Sequence, residues 1–100
     1  MEYYLYKSNK RDKKYMVKFI NHDTKKINTI HFGASGYTDY LISKDIQKKE
    51  NYKKRHRNDN INNPNYAGFY ALNLLWNKQT LQASISDTNR RYGIKIINNT

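Results

Sequence analysis

The chain has 100 residues and a formal net charge of +11, from 19 Lys and Arg against 8 Asp and Glu, and ten of its residues are tyrosines. It contains no cysteine, which excludes disulfide scaffolds, thiolate zinc sites and cysteine nucleophiles, and no apolar run approaches the ~20 residues that span a bilayer. Charge of one sign at this density repels itself until anions neutralise it, so the composition predicts one small basic domain over residues 1–100 with a polyanionic partner.

Residues 1–12 read as an edge strand at Tyr3 to Tyr6 or as a flexible arm. Lys13 to Ile20 alternates, with Tyr15, Val17 and Phe19 on one side and Met16, Lys18 and Ile20 on the other, and Ile27 to Phe32 again favours a strand. The polar connector Asn21 to Lys26 suits an antiparallel hairpin with a loose loop. Gly33 and Gly36 follow at once and mark a reversal at the end of the sheet, with one or both at positive φ. The segment lacks the further glycines and the Lys-Ser/Thr of a phosphate-binding loop.

Ser43 predicts the cap of a helix over 44–58, with Asp45 in its first turn. Helical spacing sets Ile46, Lys49, Tyr52 and His56 on a packing side, and Lys44, Gln47, Lys48, Asn51, Lys54 and Arg55 on an outward one. Asp59 to Asn65 reads as a loop leading through Pro64 into a second helix over 66–77. Apolar residues cover most of that helix, leaving Tyr66, Tyr70, Asn73 and Asn77 as its one exposed stripe. Thr80 caps a third helix over 80–92 with Leu81, Ile85, Thr88 and Tyr92 inward and Arg90 and Arg91 outward, and Gly93 stops it. Ile94 to Ile97 adds a strand. The resulting fold class is α+β: an N-terminal β-hairpin or small antiparallel sheet packed on three helices, around Phe19, Phe32, Phe69, Leu72, Leu75, Trp76, Leu81 and Ile85.

The charge concentrates in two windows. Lys7 to Lys18 holds six cations against Asp12, and Lys44 to Arg57 holds seven against Asp45 and Glu50. The helical window adds the amides of Gln47 and Asn51, so it offers directional donors together with charge, a combination suited to phosphate contact. Lysine outnumbers arginine 14 to 5, and lysine is a flexible point charge, so backbone attraction with weak sequence preference is expected over base reading. The expected contacts are Lys44, Lys48, Asn51, Lys54, Arg55 and Arg57, with help from Lys13, Lys14, Lys78, Arg90 and Arg91. Tyr66 and Tyr70 are the best-placed pair for stacking on unpaired bases. A membrane surface would also attract the charge, but the basic helix has only Ile46 and Tyr52 to insert, so no membrane partner is expected.

Catalytic groups are sparse. No two histidines stand at the i, i+4 spacing of a helical metal site, and no cofactor or metal is expected. The strongest enzymatic alternative is a small metal-dependent nuclease built on His31, Asp39 and His56. The plainer reading has His31 filling a strand position, His56 packing beside Tyr52, and Asp39 making a turn or cap bond. Ahead of the nuclease stands a second possibility, a dimeric structural or scaffold protein joined through its aromatic stripes.

Several strings together carry a resemblance: His31-Phe32-Gly33-Ala34, Gly36-Tyr37, Asp39-Tyr40, Lys44-Asp45, Tyr52, Arg55-His56 and Pro64 in the first two thirds of the chain. Ala67-Gly68-Phe69, Leu74-Leu75-Trp76-Asn77-Lys78, Thr80-Leu81, Ser84-Ile85, Asp87 and Arg91-Tyr92-Gly93-Ile94 continue it. Over residues 13–96 the pattern resembles a family of small proteins encoded by large double-stranded DNA viruses of amoebae and algae. It departs from that pattern at Ser43, Tyr70 and Gln79. The resemblance implies a viral protein placed in the virion or in the cytoplasm or nucleus of the infected cell, with Lys44, Arg55, His56, Asn77, Lys78 and Arg91 as carried-over contacts. A viral genome is an obvious polyanion, so the expected function is nucleic-acid binding, DNA ahead of RNA.

Overall fold

The computed structural model describes all 100 residues. Its strands are β1 (Glu2–Lys7), β2 (Lys13–Ile20), β3 (Ile27–Ala34) and β4 (Lys95–Asn98), in the spatial order β3-β2-β1-β4. Between β3 and β4 run α1 (Tyr40–Ser43), α2 (Ile46–His56), α3 (Ala67–Tyr70), a π-helical turn over Ala71–Leu75, and α4 (Leu81–Tyr92). The fold class is α+β.

The β2–β3 hairpin forms as the alternation predicts, pairing Val17 with Ile30 and Phe19 with Asn28. Its loop is closed by the Asn21 side chain, whose Oδ1 accepts from the amides of Asp23 and Thr24, while Lys25 takes the left-handed conformation at φ 61°. Tyr3, Leu5, Val17, Phe19, Phe32 and Ile96 are buried on one side of the sheet, whereas Tyr4, Ile20 and Ile27 remain exposed.

Two expectations about the sheet change. Residues 2–7 are neither an edge strand nor an arm: β1 lies inside the sheet, antiparallel to β2 and parallel to β4. The sheet is therefore mixed rather than antiparallel. Its two edges are β3 and the C-terminal strand β4, where Phe32 and Ile96 are buried by the helical layer as fully as Tyr3 is inside the sheet. Gly33 does not end β3 but lies within it at φ 78°, and Gly36 turns just beyond it at φ 85°. A Cβ at Gly33 would stand 2.8 Å from Leu75 Cδ1, so the glycine also permits the close approach of the helical layer.

The helical layer begins earlier than the sequence suggests. Asp39 caps α1 through Ile42 N, and Lys44 ends that helix in the left-handed conformation at φ 51°. The cap of α2 is then Asp45, whose side chain accepts from the amides of Gln47 and Lys48; Ser43 contributes only an acceptor for Asp45 N. Thr80 and Gly93 bound α4 as expected.

The single helix expected over 66–77 is instead one α turn followed by a π turn. Asn73 holds the change in place: its Nδ2 donates to the carbonyls of Phe69 at 2.9 Å and Ile61 at 3.4 Å, and its own carbonyl accepts from Thr88 Oγ1. The stripe expected to be exposed is not: Tyr66 lies in extended backbone before the helix and stands out, whereas Tyr70 and Asn73 are buried and Asn77 is half-buried. Tyr70 takes a core position, with its hydroxyl donating to Pro64 O at 2.6 Å. Phe19, Phe32, Phe69, Leu75, Trp76 and Ile85 are core as expected, joined by Tyr3, Leu5, Val17, Tyr40, Tyr70, Leu74 and Ile96, while Leu72 and Leu81 are only partly covered.

Candidate nucleic-acid interface

Helix α2 buries no residue completely. It is held instead by a stack of rings: Tyr52 lies on Trp76 with centroids 4.5 Å apart and planes 8° from parallel, and His56 lies on Tyr52 at 4.2 Å and 28°. Lys49 adds its ammonium over Tyr40, 4.9 Å from the centroid. Flat side chains one helical turn apart thus do the work that aliphatic residues do elsewhere, and Ile46, expected to pack, is 65% exposed.

Docked this way, α2 faces the end of the β2–β3 hairpin across a cleft of about 620 Å³. Lys48, Asn51 and Arg55 line one wall, Lys13 and Lys14 the other, and Ala71, Leu75 and Trp76 also line it. The two basic windows of the sequence therefore meet in space. The cleft has one carboxylate, Asp39, and it is occupied: one oxygen accepts from Ile42 N and the other pairs with Lys14 Nζ at 2.6 Å. Lys13, Lys48 and Arg55 make no ion pair within 4.0 Å. Desolvation pushes the Tyr52 phenol above its usual pKa, with Asp59 adding to the shift and Arg55 opposing it.

The other side of α2 borders a second cleft, lined by Lys49, Lys53, Asn77, Lys78, Asp87 and Arg91 among others. Asp87 organises it, accepting from Asn77 Nδ2 at 2.8 Å, Arg90 at 2.7 Å and Arg91 Nε at 2.7 Å. The Asn77 amide, followed by Arg91, holds the Asp87 carboxyl below the usual aspartate range against the opposing effect of burial.

The expected contacts divide accordingly. Lys48, Asn51 and Arg55 converge with Lys13, and Lys78 lies in the second cleft. Lys54 and Arg57 are exposed but line neither cleft. Lys44 is not on the helix at all: its Nζ donates to the carbonyls of Leu41 and Gln79, both at 2.9 Å, so it ties α1 to the segment before α4. Lys14 is neutralised by Asp39. Arg90 and Arg91 lie outward as expected, yet both are paired: they share Asp87 at i, i+3 and i, i+4 spacing, and Arg91 also donates to Asn73 Oδ1 at 2.6 Å. Tyr66 and Tyr70 cannot act as a stacking pair, because Tyr70 is buried.

Lys53, which sequence reasoning did not single out, lines the second cleft, and Lys49 was expected on the packing side. A cationic side chain can do both, and Lys49 lies over a ring while bordering a cleft. The three residues of the nuclease alternative have separate partners. His31 bonds Ser8 Oγ at 2.7 Å, His56 bonds Asp59, and Asp39 holds Lys14. Desolvation, reinforced by Lys10, Lys13 and Lys18, keeps the His31 imidazole below its usual pKa.

No helix is long and apolar enough to cross a membrane. No curated protein and no solved structure matches the chain. Residues 3–56 match the model of a family of unknown function, DUF5754. The matched stretch runs from β1 through α2 and so carries Lys13, Lys14, Lys48, Asn51 and Arg55, the cationic walls of the first cleft. By that match, which takes in more than half of its length, the chain belongs to the DUF5754 family.

Proposed function

We propose that this chain binds nucleic acid, DNA ahead of RNA, by holding phosphates between α2 and the β2–β3 hairpin. The observation that carries this reading is the convergence of Lys13, Lys48 and Arg55 on one cleft with no carboxylate paired to any of them. Unpaired cations on opposing walls repel one another, and an anion between them relieves that repulsion. The predominance of lysine supports weak sequence preference. The resemblance to viral proteins supports a virus-encoded role on a genome or transcript, in the virion or in the infected cell's cytoplasm or nucleus.

The test is binding of the Lys48→Glu, Arg55→Glu double variant to duplex and single-stranded DNA and to RNA across a salt series. Each phosphate contact on duplex DNA contributes about −0.9 to the slope of log K against log salt. The double variant is expected to bind far more weakly and to flatten that slope by about 1.8, on the same scale per contact. Unchanged affinity and slope would overturn the reading.

A further inference from the structure

The cleft beside α2 contains more than phosphate recognition requires. Ala71 and the 74% exposed ring of Tyr37, above the buried Leu75 and Trp76, give it an apolar surface, and cations stand at its walls. A bare phosphate has no use for the apolar surface, and an apolar ligand gains nothing from Lys13, Lys48 and Arg55. The ligand that satisfies both is a flat, weakly polar body carrying an anion, which is the chemistry of a nucleotide. About 620 Å³ lies within the ~300–1,000 Å³ range of small-molecule sites, so the space fits one such unit.

Resting on the nucleic-acid reading above, we infer that this cleft takes a single unpaired nucleotide, its base against Ala71 and Tyr37 and its phosphate on Lys13, Lys48 and Arg55. Directional groups are present for the base. The Oδ1 of Asn51 accepts from Gln47 Nε2 at 3.0 Å, which orients the side-chain amide and leaves its Nδ2 hydrogens to donate. Tyr37, 74% exposed and also lining the cleft, offers an accessible ring and hydroxyl. The close approach permitted by Gly33 brings the hairpin end against Leu75. A base held in a duplex cannot enter such a recess without leaving its stack, so the inference specifies single-stranded over double-stranded nucleic acid.

The chain's one tryptophan, Trp76, borders both clefts, so its emission reports binding on either side of α2 and the comparison of probes assigns the base seat. The experiment titrates the full chain at fixed salt with three probes: a short oligothymidylate, an abasic deoxyribose-phosphate strand of equal length, and a duplex of equal length. Oligothymidylate is expected to change Trp76 emission and to bind about tenfold more tightly than the abasic strand, the scale of a stacked base. Equal affinity for all three overturns the nucleotide seat while leaving phosphate binding standing. No binding of any probe at low salt overturns both.

Discussion

Gly68→Ala sets helix propensity directly against packing. In an open helix the change stabilises by about 1 kcal/mol, since alanine loses less backbone freedom than glycine. Here a Cβ at residue 68 would stand 2.3 Å from the carbonyl oxygen of Asp59 and 3.3 Å from its Cβ. The obstacle is main chain, and it is pinned: the 57–66 loop is tied to the helical layer by Tyr70 to Pro64 O, Asn73 to Ile61 O and Tyr92 to Asn62 Oδ1. Overpacking of this kind costs about 1–3 kcal/mol, which exceeds the propensity gain from a helix of only four residues. With a 2.3 Å approach to main chain putting the cost at the upper end of that range, the expected result is a net loss of about 2 kcal/mol, read as a lowered urea midpoint at unchanged m-value. Gly36→Ala is the comparison, because nothing lies within 4 Å of its Cβ and its φ of 85° alone should cost about 1 kcal/mol. A Gly68→Ala protein as stable as the parent, or more so, would refute the packing argument. Since Asp59 also holds His56, whose ring closes the stack that docks α2, the variant should loosen the cleft as well.

The acid limb of stability should depend on Asp87. Its pKa is lowered in the folded chain, so the unfolded chain takes up the proton first; the stabilisation is complete above the unfolded value of about 3.9 and is lost as pH falls through the depressed folded value. Asp87→Asn is expected to lower neutral-pH stability by about 2 kcal/mol, because its carboxylate receives two guanidinium groups. It should also flatten denaturation midpoints below pH 4, and parallel pH profiles for variant and parent would contradict this. Tyr70→Phe leaves the Pro64 carbonyl without its 2.6 Å donor and is expected to cost about 1–2 kcal/mol by chemical denaturation, with a loss below 0.5 kcal/mol counting against that bond.

Periodicity and capping make much of the secondary structure legible. Alternation places β2 and β3, and the Thr80 and Gly93 signals bound α4, because each depends on residues close together in the chain. The helix over 66–77 is misread from sequence because Asn73 is hydrophilic by type, yet it is buried by bonds to Ile61, Phe69 and Thr88, two of which are more than ten residues distant. Lys44 is misread for a related reason: as a cation in a basic run it looks solvent-facing, and only its bonds to Leu41 and Gln79 reveal a strut.

The sequence by itself determined the sign and size of the charge and the two windows that carry it, since these are sums over residue types. Tertiary structure decided which cations remain unpaired. Asp39 takes Lys14 from across 25 residues, whereas no carboxylate reaches Lys13, Lys48 or Arg55 around the same cleft. Ion pairing depends on distances of a few ångströms between side chains, and no pattern along the chain fixes those until the sheet and helices have packed.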